Sequence, residues 1–314
     1  MNPKIQHLVN VSGGKDSTAV YLLAIESGRP FRAVFADTGN EHDAVYEYID
    51  RLPERTGGPK VETVRADFTR QLATHRAYIL DKWPKQGISD EIVQQAAALN
   101  TPSGNPYLDL CITKGRFPSR MAQFCTGELK EIPITEQVVL PMLKQGQLLQ
   151  WLGIRADESP RRAKQPRFNR HDSGSYLWRP ILRWSVEDVW RQHQRHNLPR
   201  NPLYDQGMGR VGCMPCINCR KEELRQIAIR FPEHIDRIAQ WEAVVAAANK
   251  RRAATFFPAV TDPTDVDRPG TYSGIRTLVE WAQTTRGGRQ FAMFFDEQAG
   301  GGCSSDMALC ERSQ

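Results

Sequence analysis

The chain has 314 residues, 40% of them hydrophobic and 25% charged, so it is long enough to bury a substantial core. Its formal net charge of +6 favours a polyanionic partner, such as a nucleic acid or the phosphates of a nucleotide. The sequence has no apolar run of about 18 residues and no charged-then-apolar leader. We therefore expect a cytoplasmic protein without a membrane partner.

The first part of the chain alternates between strand-like and helix-like segments. The strand-like runs QHLVNV, FRAVFAD and VETVRAD are separated by the helix-like runs DSTAVYLLAIESG and HDAVYEYIDRLPERTG. This alternation predicts an α/β fold with a doubly wound, mostly parallel sheet, in which ligands bind at the carboxyl ends of the strands. The segments SGGKDS and DTGNE both follow a predicted strand.

Later segments predict further helices and one more strand. SDEIVQQAAALN predicts a helix within an insertion, and LLQWLGI predicts a strand. SVEDVWRQHQRHN begins with a serine cap and an acidic first turn, which is typical of the start of a helix. We predict one α/β domain over residues 1–230 and a mostly helical C-terminal extension over residues 231–314.

The segment SGGKDS at residues 12–17 has the composition of a phosphate-binding turn. Glycines let backbone amides converge on phosphate oxygens, and a following helix begins with a positive dipole end. Its spacing matches neither the Walker A loop nor the dinucleotide fingerprint, and a chance Gly-Gly turn is the alternative. The predicted binding residues are Ser12, Gly13, Gly14, Lys15, Asp16 and Ser17.

Two residues of this turn have more specific predicted roles. Lys15 supplies a positive charge for the phosphates of ATP. Asp16 either helps to bind Mg²⁺ or simply caps the helix that follows. We count both as candidate catalytic residues.

The turn and its surroundings resemble the PP-loop ATP pyrophosphatase superfamily, whose turn holds the pyrophosphate end of ATP while the α-phosphorus is attacked. Three further segments are similar to the phosphoadenosine phosphosulfate (PAPS) reductase family within it: FADTGNEHDAVYEYI, GIRADESPRRA and RPILRWSVEDVWRQHQRHNLPRNPLYDQG. The resemblance extends over residues 6–220. It implies that Asp37 and Thr38 lie near the adenosine.

Two departures from that family favour ATP cleavage over reduction of a sulfonucleotide. The chain ends in GGCSSDMALCERSQ and lacks the Glu-Cys-Gly-Leu-His tail of the reductases, and its glycine turn is intact. FCTGELKEIPI, followed by GIRADES, also resembles the sulfurtransferase subunit of DNA phosphorothioation systems. That resemblance implies adenylation of an acceptor oxygen, release of pyrophosphate, and replacement of the activated oxygen by sulfur.

The cysteines predict a metal centre. Cys213, Cys216 and Cys219 have the C-x-x-C-x-x-C spacing that [4Fe–4S] sites use for three ligands. The family resemblance favours Cys125 as the fourth ligand. Cys303 and Cys310 are rivals for that place, and one of them could replace Cys219. Structural zinc and free thiols are the alternatives to the cluster.

The remaining predictions concern the acceptor and its partners. Arg155 is expected to stabilise the α-phosphate or to bind the acceptor backbone, and Lys130 either faces the site or is an exposed helix lysine. Arg155 also begins a dense basic run that ends at Arg183. We expect a nucleic acid acceptor, DNA or tRNA, and a sulfur donor such as a cysteine desulfurase. The other hypotheses are a PAPS or adenylyl-sulfate reductase and a non-catalytic nucleotide-binding module.

Overall fold

The computed structural model describes residues 5–262 and 270–284. A six-stranded sheet forms its first compact unit, with the strand order β3-β2-β1-β4-β6-β5. The strands are β1 (Gln6–Asn10), β2 (Arg32–Ala36), β3 (Val61–Val64), β4 (Leu148–Trp151), β5 (Phe168–Arg170) and β6 (Tyr176–Trp178). Every neighbouring pair is parallel except β5 and β6. The predicted α/β class and mostly parallel sheet are confirmed.

The strand order places a topological switch point at β1. The chain runs from β1 to β2 and β3 on one side, and β4 then pairs with β1 on the other side, with Leu8 opposite Gln150. Ligands of doubly wound sheets bind at such a point, outside the carboxyl ends of the strands. The turn 12–17 follows β1, and Arg155 follows β4. Topology therefore explains why these two segments lie together.

Helices flank the sheet, and their ends follow local sequence signals. The helices of this unit are α1 (Lys15–Glu26), α2 (Asp43–Thr56), α7 (Ile132–Ile134), α8 (Leu140–Leu143), α9 (Pro160–Ala163), α10 (Val186–Arg195) and α11 (Pro202–Asp205). Ser185 caps α10 by accepting from the Asp188 N–H, as predicted. Gly57 ends α2 in the left-handed conformation that glycine adopts without strain.

One face of the sheet packs against the helical run that contains α7 and α8. Two π-helical segments, Gly127–Glu131 and Thr135–Val139, belong to the same run. The shared core is aliphatic and includes Leu8, Val34, Ile134, Val138, Val139, Met142, Leu148, Leu152, Ile154 and Leu177. β1 and β2 are buried at every residue except the first, as expected of parallel strands that are covered on both faces.

The second compact unit is mostly helical. It contains α3 (Thr69–Lys82), α4 (Asp90–Leu99), α5 (Pro106–Lys114), α12 (Lys221–Arg230), α13 (Pro232–Ala247) and α14 (Ile275–Gln283), with the short helix α6 (Phe124–Thr126) at a unit boundary. A hairpin of β7 (Val260–Asp262) and β8 (Gly270–Tyr272) interrupts the helices. In part of its core, the Tyr107 ring stacks with the rings of Trp241 and Phe256.

The two compact units alternate along the chain. Among the described residues, the first unit comprises 5–65 and 126–213, and the second comprises 66–125, 214–262 and 270–284. The predicted division into an α/β domain over residues 1–230 and a helical extension over residues 231–314 stays a prediction. In the described ranges, no helix is both long enough and apolar enough to cross a membrane.

Candidate nucleotide-binding site

The turn after β1 is closed by its own serines. The Ser12 backbone N–H donates to Ser17 Oγ at 3.0 Å, the two hydroxyl oxygens lie 3.0 Å apart, and Ser17 Oγ donates to the Gly14 carbonyl at 3.2 Å. Gly13 has φ +75°, a left-handed conformation that favours glycine. Gly14 is the N-cap of α1, and no side chain caps the helix there. The positive end of the helix is therefore presented to the turn.

Asp16 and Arg155 form a buried ion pair beneath the turn. Arg155 Nε lies 2.6 Å from Asp16 Oδ1, and both side chains are almost fully buried. Arg155 Nη1 also binds Asp157 Oδ2, at 2.5 Å. Burial tends to lower the pKa of Arg155, but these carboxylates more than offset that effect and the pKa is raised. Asp16 thus serves as an ion-pair partner and does not cap α1.

Gly153 brings the end of β4 against the start of α1. A Cβ atom added at Gly153 would lie only 2.8 Å from the carbonyl carbon of Asp16 and from the backbone nitrogen of Ser17. These contacts are with backbone atoms, which cannot swing aside as a side chain can. A glycine is therefore required for this close approach between two segments of the site.

Lys15 is held by α10 and by the segment around α11. Its side chain is buried and its Nζ lies 3.5 Å from Asp16 Oδ2 and 5.6 Å from the centre of the Tyr204 ring. The Lys15 backbone N–H donates to the Tyr204 hydroxyl at 2.9 Å, and the Lys15 carbonyl accepts from His193 Nε2 at the same distance. Burial lowers the pKa of His193, which favours the neutral ring.

Asn201 ties the turn to the start of α2. Its Nδ2 lies 3.4 Å from the Gly13 carbonyl oxygen and 3.5 Å from that of Ala44, while its Oδ1 accepts from the Leu203 N–H. His193, Asn201 and Tyr204 were not predicted as site residues. All three lie in the family-like segment that contains Asn-Pro-Leu-Tyr, and this position was the sequence signal that could have found them. The segment alone does not assign a role to any residue.

Asp37 and Thr38 lie at the carboxyl end of β2, as predicted, and are buried in a hydrogen-bond network. Asp37 accepts from the Gly39 N–H and from the Tyr46 hydroxyl, at 2.9 and 2.7 Å, and pairs with Arg65 at 2.6 Å. The Thr38 hydroxyl donates to the Glu41 carboxylate at 2.8 Å. The network fixes both predicted adenosine-binding residues.

Lys130 is buried near this network, so its side chain is not exposed on a helix. Burial raises the pKa of Glu41, and the positive charge of Lys130 opposes that shift. Cys213 Sγ lies 3.5 Å from both Glu41 Oε1 and Thr38 Oγ1. The first unit therefore brings a lysine, a carboxyl group and a thiol together at the end of β2.

The predicted metal-binding cysteines are divided between the units. Cys213 belongs to the first unit, at the end of its segment 126–213. Cys125, Cys216 and Cys219 belong to the second unit. Within the second unit, the Asn218 N–H donates to Cys216 Sγ at 3.4 Å. Such a bond stabilises negative charge on sulfur and fits a thiolate ligand.

A nearby arginine and the burial of one thiol also bear on which cysteines could be ligands. Burial lowers the pKa of Arg120, while nearby Cys216 and Cys219 act in the opposite direction. Burial strongly raises the pKa of Cys111, so that thiol stays protonated and is a poor ligand. Cys303 and Cys310 lie outside the described residues.

Comparison with known proteins identifies the family. Residues 6–219 match the phosphoadenosine phosphosulfate reductase domain. Because the match covers more than half of the sequence, the chain belongs to the PAPS reductase family. This is a family of enzymes whose sulfur chemistry involves nucleotides.

Individual relatives differ in how much of the chain they match. An uncharacterized 37.8 kDa protein of Escherichia phage 186 is 43% identical over 97% of this chain and 96% of its own length. Adenosine 5'-phosphosulfate reductase 1 of Bacillus subtilis is 26% identical over 58% of this chain and 61% of the reductase. A PAPS reductase from Candida auris, solved as a phosphate complex, has a TM-score of 0.41 and 16% identity, over 66% of this chain and 81% of that chain.

Proposed function

We propose that this chain binds ATP at the turn 12–17, adenylates an acceptor with release of pyrophosphate, and supports replacement of the activated oxygen by sulfur. The observation that carries the proposal is the closed turn at the positive end of α1, with Lys15 and Asp16 buried beside it. Helix N-termini and convergent amides suit a multiply charged phosphate group. The intact turn offers a site for a leaving pyrophosphate.

The proposed reaction uses these residues in separate roles. The acceptor oxygen attacks the α-phosphorus of ATP. The bond between the α-phosphorus and the oxygen that joins it to the β-phosphorus breaks, and pyrophosphate leaves with the electron pair. Lys15 offsets the negative charge that develops on pyrophosphate. When Mg²⁺ is bound, Asp16 would hold it together with the phosphates, since Mg²⁺ sites commonly combine a carboxylate with substrate phosphates.

The surroundings of Arg155 fit an oxygen-rich ligand. Among the described residues, its Nη2 is buried and has no hydrogen-bond partner. An unpaired buried guanidinium donor is costly, so an oxygen acceptor such as a phosphate suits this position. We propose that Arg155 mainly positions Asp16 and reaches the α-phosphate through this nitrogen.

The acceptor in this proposal is a nucleic acid, DNA or tRNA, and the sulfur comes from a donor such as a cysteine desulfurase. The net charge of +6 supports a polyanionic acceptor. In the second step, sulfur attacks the adenylated atom and AMP leaves. These assignments rest on the family resemblance and on charge.

A cysteine-ligated [4Fe–4S] cluster is part of the same proposal. The predicted ligands are Cys213, Cys216 and Cys219, with Cys125 as the fourth, as the family resemblance implies. The N–H bond to Cys216 and the nearby Arg120 fit thiolate ligands. A cluster would contribute electron-transfer or sulfur chemistry. Iron, sulfide and zinc analysis of anaerobically purified protein separates the cluster from zinc, with Cys216→Ser as the ligand variant and Cys111→Ser as its control.

The second candidate is a sulfonucleotide reductase, favoured by the similarity to an adenosine 5'-phosphosulfate reductase. Such an enzyme would transfer the sulfonate group to a cysteine thiolate, with the nucleotide as leaving group, and a thioredoxin-like dithiol would then release sulfite. Cys303 or Cys310 would be the nucleophile. Cys303→Ser or Cys310→Ser, whichever removes the nucleophile, should then abolish sulfite release.

Product analysis distinguishes the two candidates. Anaerobic protein is incubated with α-labelled ATP and Mg²⁺, with and without DNA or tRNA, and separately with PAPS. We expect AMP and pyrophosphate, stimulated by one nucleic acid, and no activity from Lys15→Ala. Lys144→Ala, which removes an exposed lysine of the same unit, should retain full activity. Sulfite from PAPS without ATP cleavage would establish the reductase, and ATP binding without turnover would overturn the adenylation step.

A further inference from the structure

The outer edge of the first unit's sheet carries an exposed aromatic pair. Among the described residues, strand β5 is the terminal strand of the sheet and pairs with β6 alone, Phe168 lying opposite Trp178. Phe168 is 54% exposed, and its ring stacks on that of Tyr176 with the centroids 5.5 Å apart and an angle of 17°. A flat aromatic surface therefore reaches solvent beside the outer edge of the described sheet.

The segment that leads into β5 and forms it carries only positive charge. Residues 161–170, RRAKQPRFNR, contain no aspartate or glutamate. Their exposed cations are Arg161, Lys164, Arg167 and Arg170. We define these four residues and Phe168 as the edge surface. Its strand edge is poorly suited to adding another protein strand, because clustered charge and proline discourage such pairing.

A buried arginine holds the edge surface in place. Arg179 is fully buried, and its Nη1 donates to the Pro166 carbonyl at 2.9 Å and to Asn169 Oδ1 at 2.5 Å. The Arg179 backbone N–H donates to the Arg167 carbonyl at 2.9 Å. These bonds fix β5 before any partner binds, which reduces the entropy lost on binding.

We propose that the edge surface binds single-stranded nucleic acid, with a base stacked on Phe168 and backbone phosphates bound by the surrounding cations. Stacking aromatics combined with a basic track are the features by which proteins bind single strands. A base must be unstacked to lie on such a ring, so the surface favours single strands over duplex. This inference rests on the proposed nucleic acid acceptor and names where that acceptor is held.

The test is fluorescence anisotropy without ATP, using labelled single-stranded DNA, single-stranded RNA and duplex DNA of about 20 nucleotides, long enough for typical single-strand sites. Phe168→Ala should weaken single-strand binding by about 5- to 150-fold, the range for loss of one stacked base. Arg167→Gln with Arg170→Gln should reduce the slope of log affinity against log salt by about 1.4.

A matched control changes two exposed arginines of α2. Arg51→Gln with Arg55→Gln removes the same charge from another part of the first unit and should change affinity by much less. Binding of either single strand supports the proposal. Tighter duplex binding, or unchanged binding by the Phe168 and Arg167/Arg170 variants, would overturn it.

The same experiment separates this inference from the proposed function. Lys15→Ala protein should bind the oligonucleotides as the parent does, because Lys15 belongs to the phosphate turn. If ATP is cleaved to AMP but the edge-surface variants bind normally, only the surface is wrong. If the edge surface binds but ATP is never cleaved, the adenylation chemistry is wrong and the surface stands.

Discussion

Adding a single methyl group at Gly153 should disrupt nucleotide binding. The new Cβ would lie 2.8 Å from backbone atoms of Asp16 and Ser17, whereas carbon contacts are most favourable at about 3.5–4.0 Å. The two segments must therefore separate by about 0.7–1.2 Å. Overpacking of this kind costs about 1–3 kcal/mol, and a misplacement of about 1 Å in an active site can reduce the rate about 100-fold.

The assay combines thermal unfolding with titration of ATP in the presence of Mg²⁺. We expect Gly153→Ala to lower the unfolding temperature and to weaken ATP binding more than tenfold, which is a change of about 1.4 kcal/mol. Gly127→Ala is the matched control, because a Cβ atom added at Gly127 would meet nothing within 4 Å and the residue is helical. That substitution should leave affinity unchanged and stabilise the helix slightly.

Normal ATP affinity and normal stability in Gly153→Ala would refute this reasoning. Such a result would mean that the end of β4 and the start of α1 can move apart without consequence. Reduced stability with normal affinity would also contradict it, because the phosphate turn would then tolerate the displacement.

Three further predictions follow from buried polar groups. Arg155→Met should destabilise the protein by about 3–5 kcal/mol in thermal unfolding, and adding Asp16→Leu should recover much of that loss, because the buried carboxylate that has lost its guanidinium partner is removed. Tyr204→Phe should tighten ATP binding up to about 100-fold in calorimetry, because the Lys15 N–H loses its partner only in the nucleotide-free state. Burial raises the pKa of Glu242, so its contribution to thermal stability should fall as pH rises from the usual carboxyl pKa through the raised one, and Glu242→Gln should make the pH dependence of stability shallower.

Each of these predictions has its own control or contrary result. Tyr21→Phe removes a hydroxyl that donates to the Pro59 carbonyl and should not change ATP affinity. Weaker ATP binding by Tyr204→Phe would show instead that the hydroxyl contacts the nucleotide. Equal losses in the Arg155 single and Arg155/Asp16 double variants, or an unchanged pH profile in Glu242→Gln, would contradict the ion-pair and burial arguments respectively.

Local patterns were sufficient to predict much of the fold. The apolar runs around β1, β2, β3 and β4 are short and bounded by turns, and the serine cap of α10 lies where the sequence predicts it. The glycine pair after β1 marked the phosphate turn for the same reason, since its signal is contained in six consecutive residues.

Long-range pairings could not be predicted in this way. Asp16 and Arg155 are 139 residues apart, and Lys15 is 189 residues from Tyr204. The packing of strands and helices brings each pair together, and a sequence pattern does not specify that packing. The π-helical segments around α7 and the interleaved units are likewise consequences of packing, to which local propensity gives little guide.

Competition by pyrophosphate tests the central claim most directly. The parent protein is titrated with ATP, adenylyl sulfate and PAPS, each with and without pyrophosphate and Mg²⁺, and Lys15→Ala is titrated in parallel. We predict that ATP binds in preference, that pyrophosphate competes with it, and that Lys15→Ala loses both ligands. Preferential binding of adenylyl sulfate or PAPS, unaffected by pyrophosphate, would contradict the proposed function of the turn.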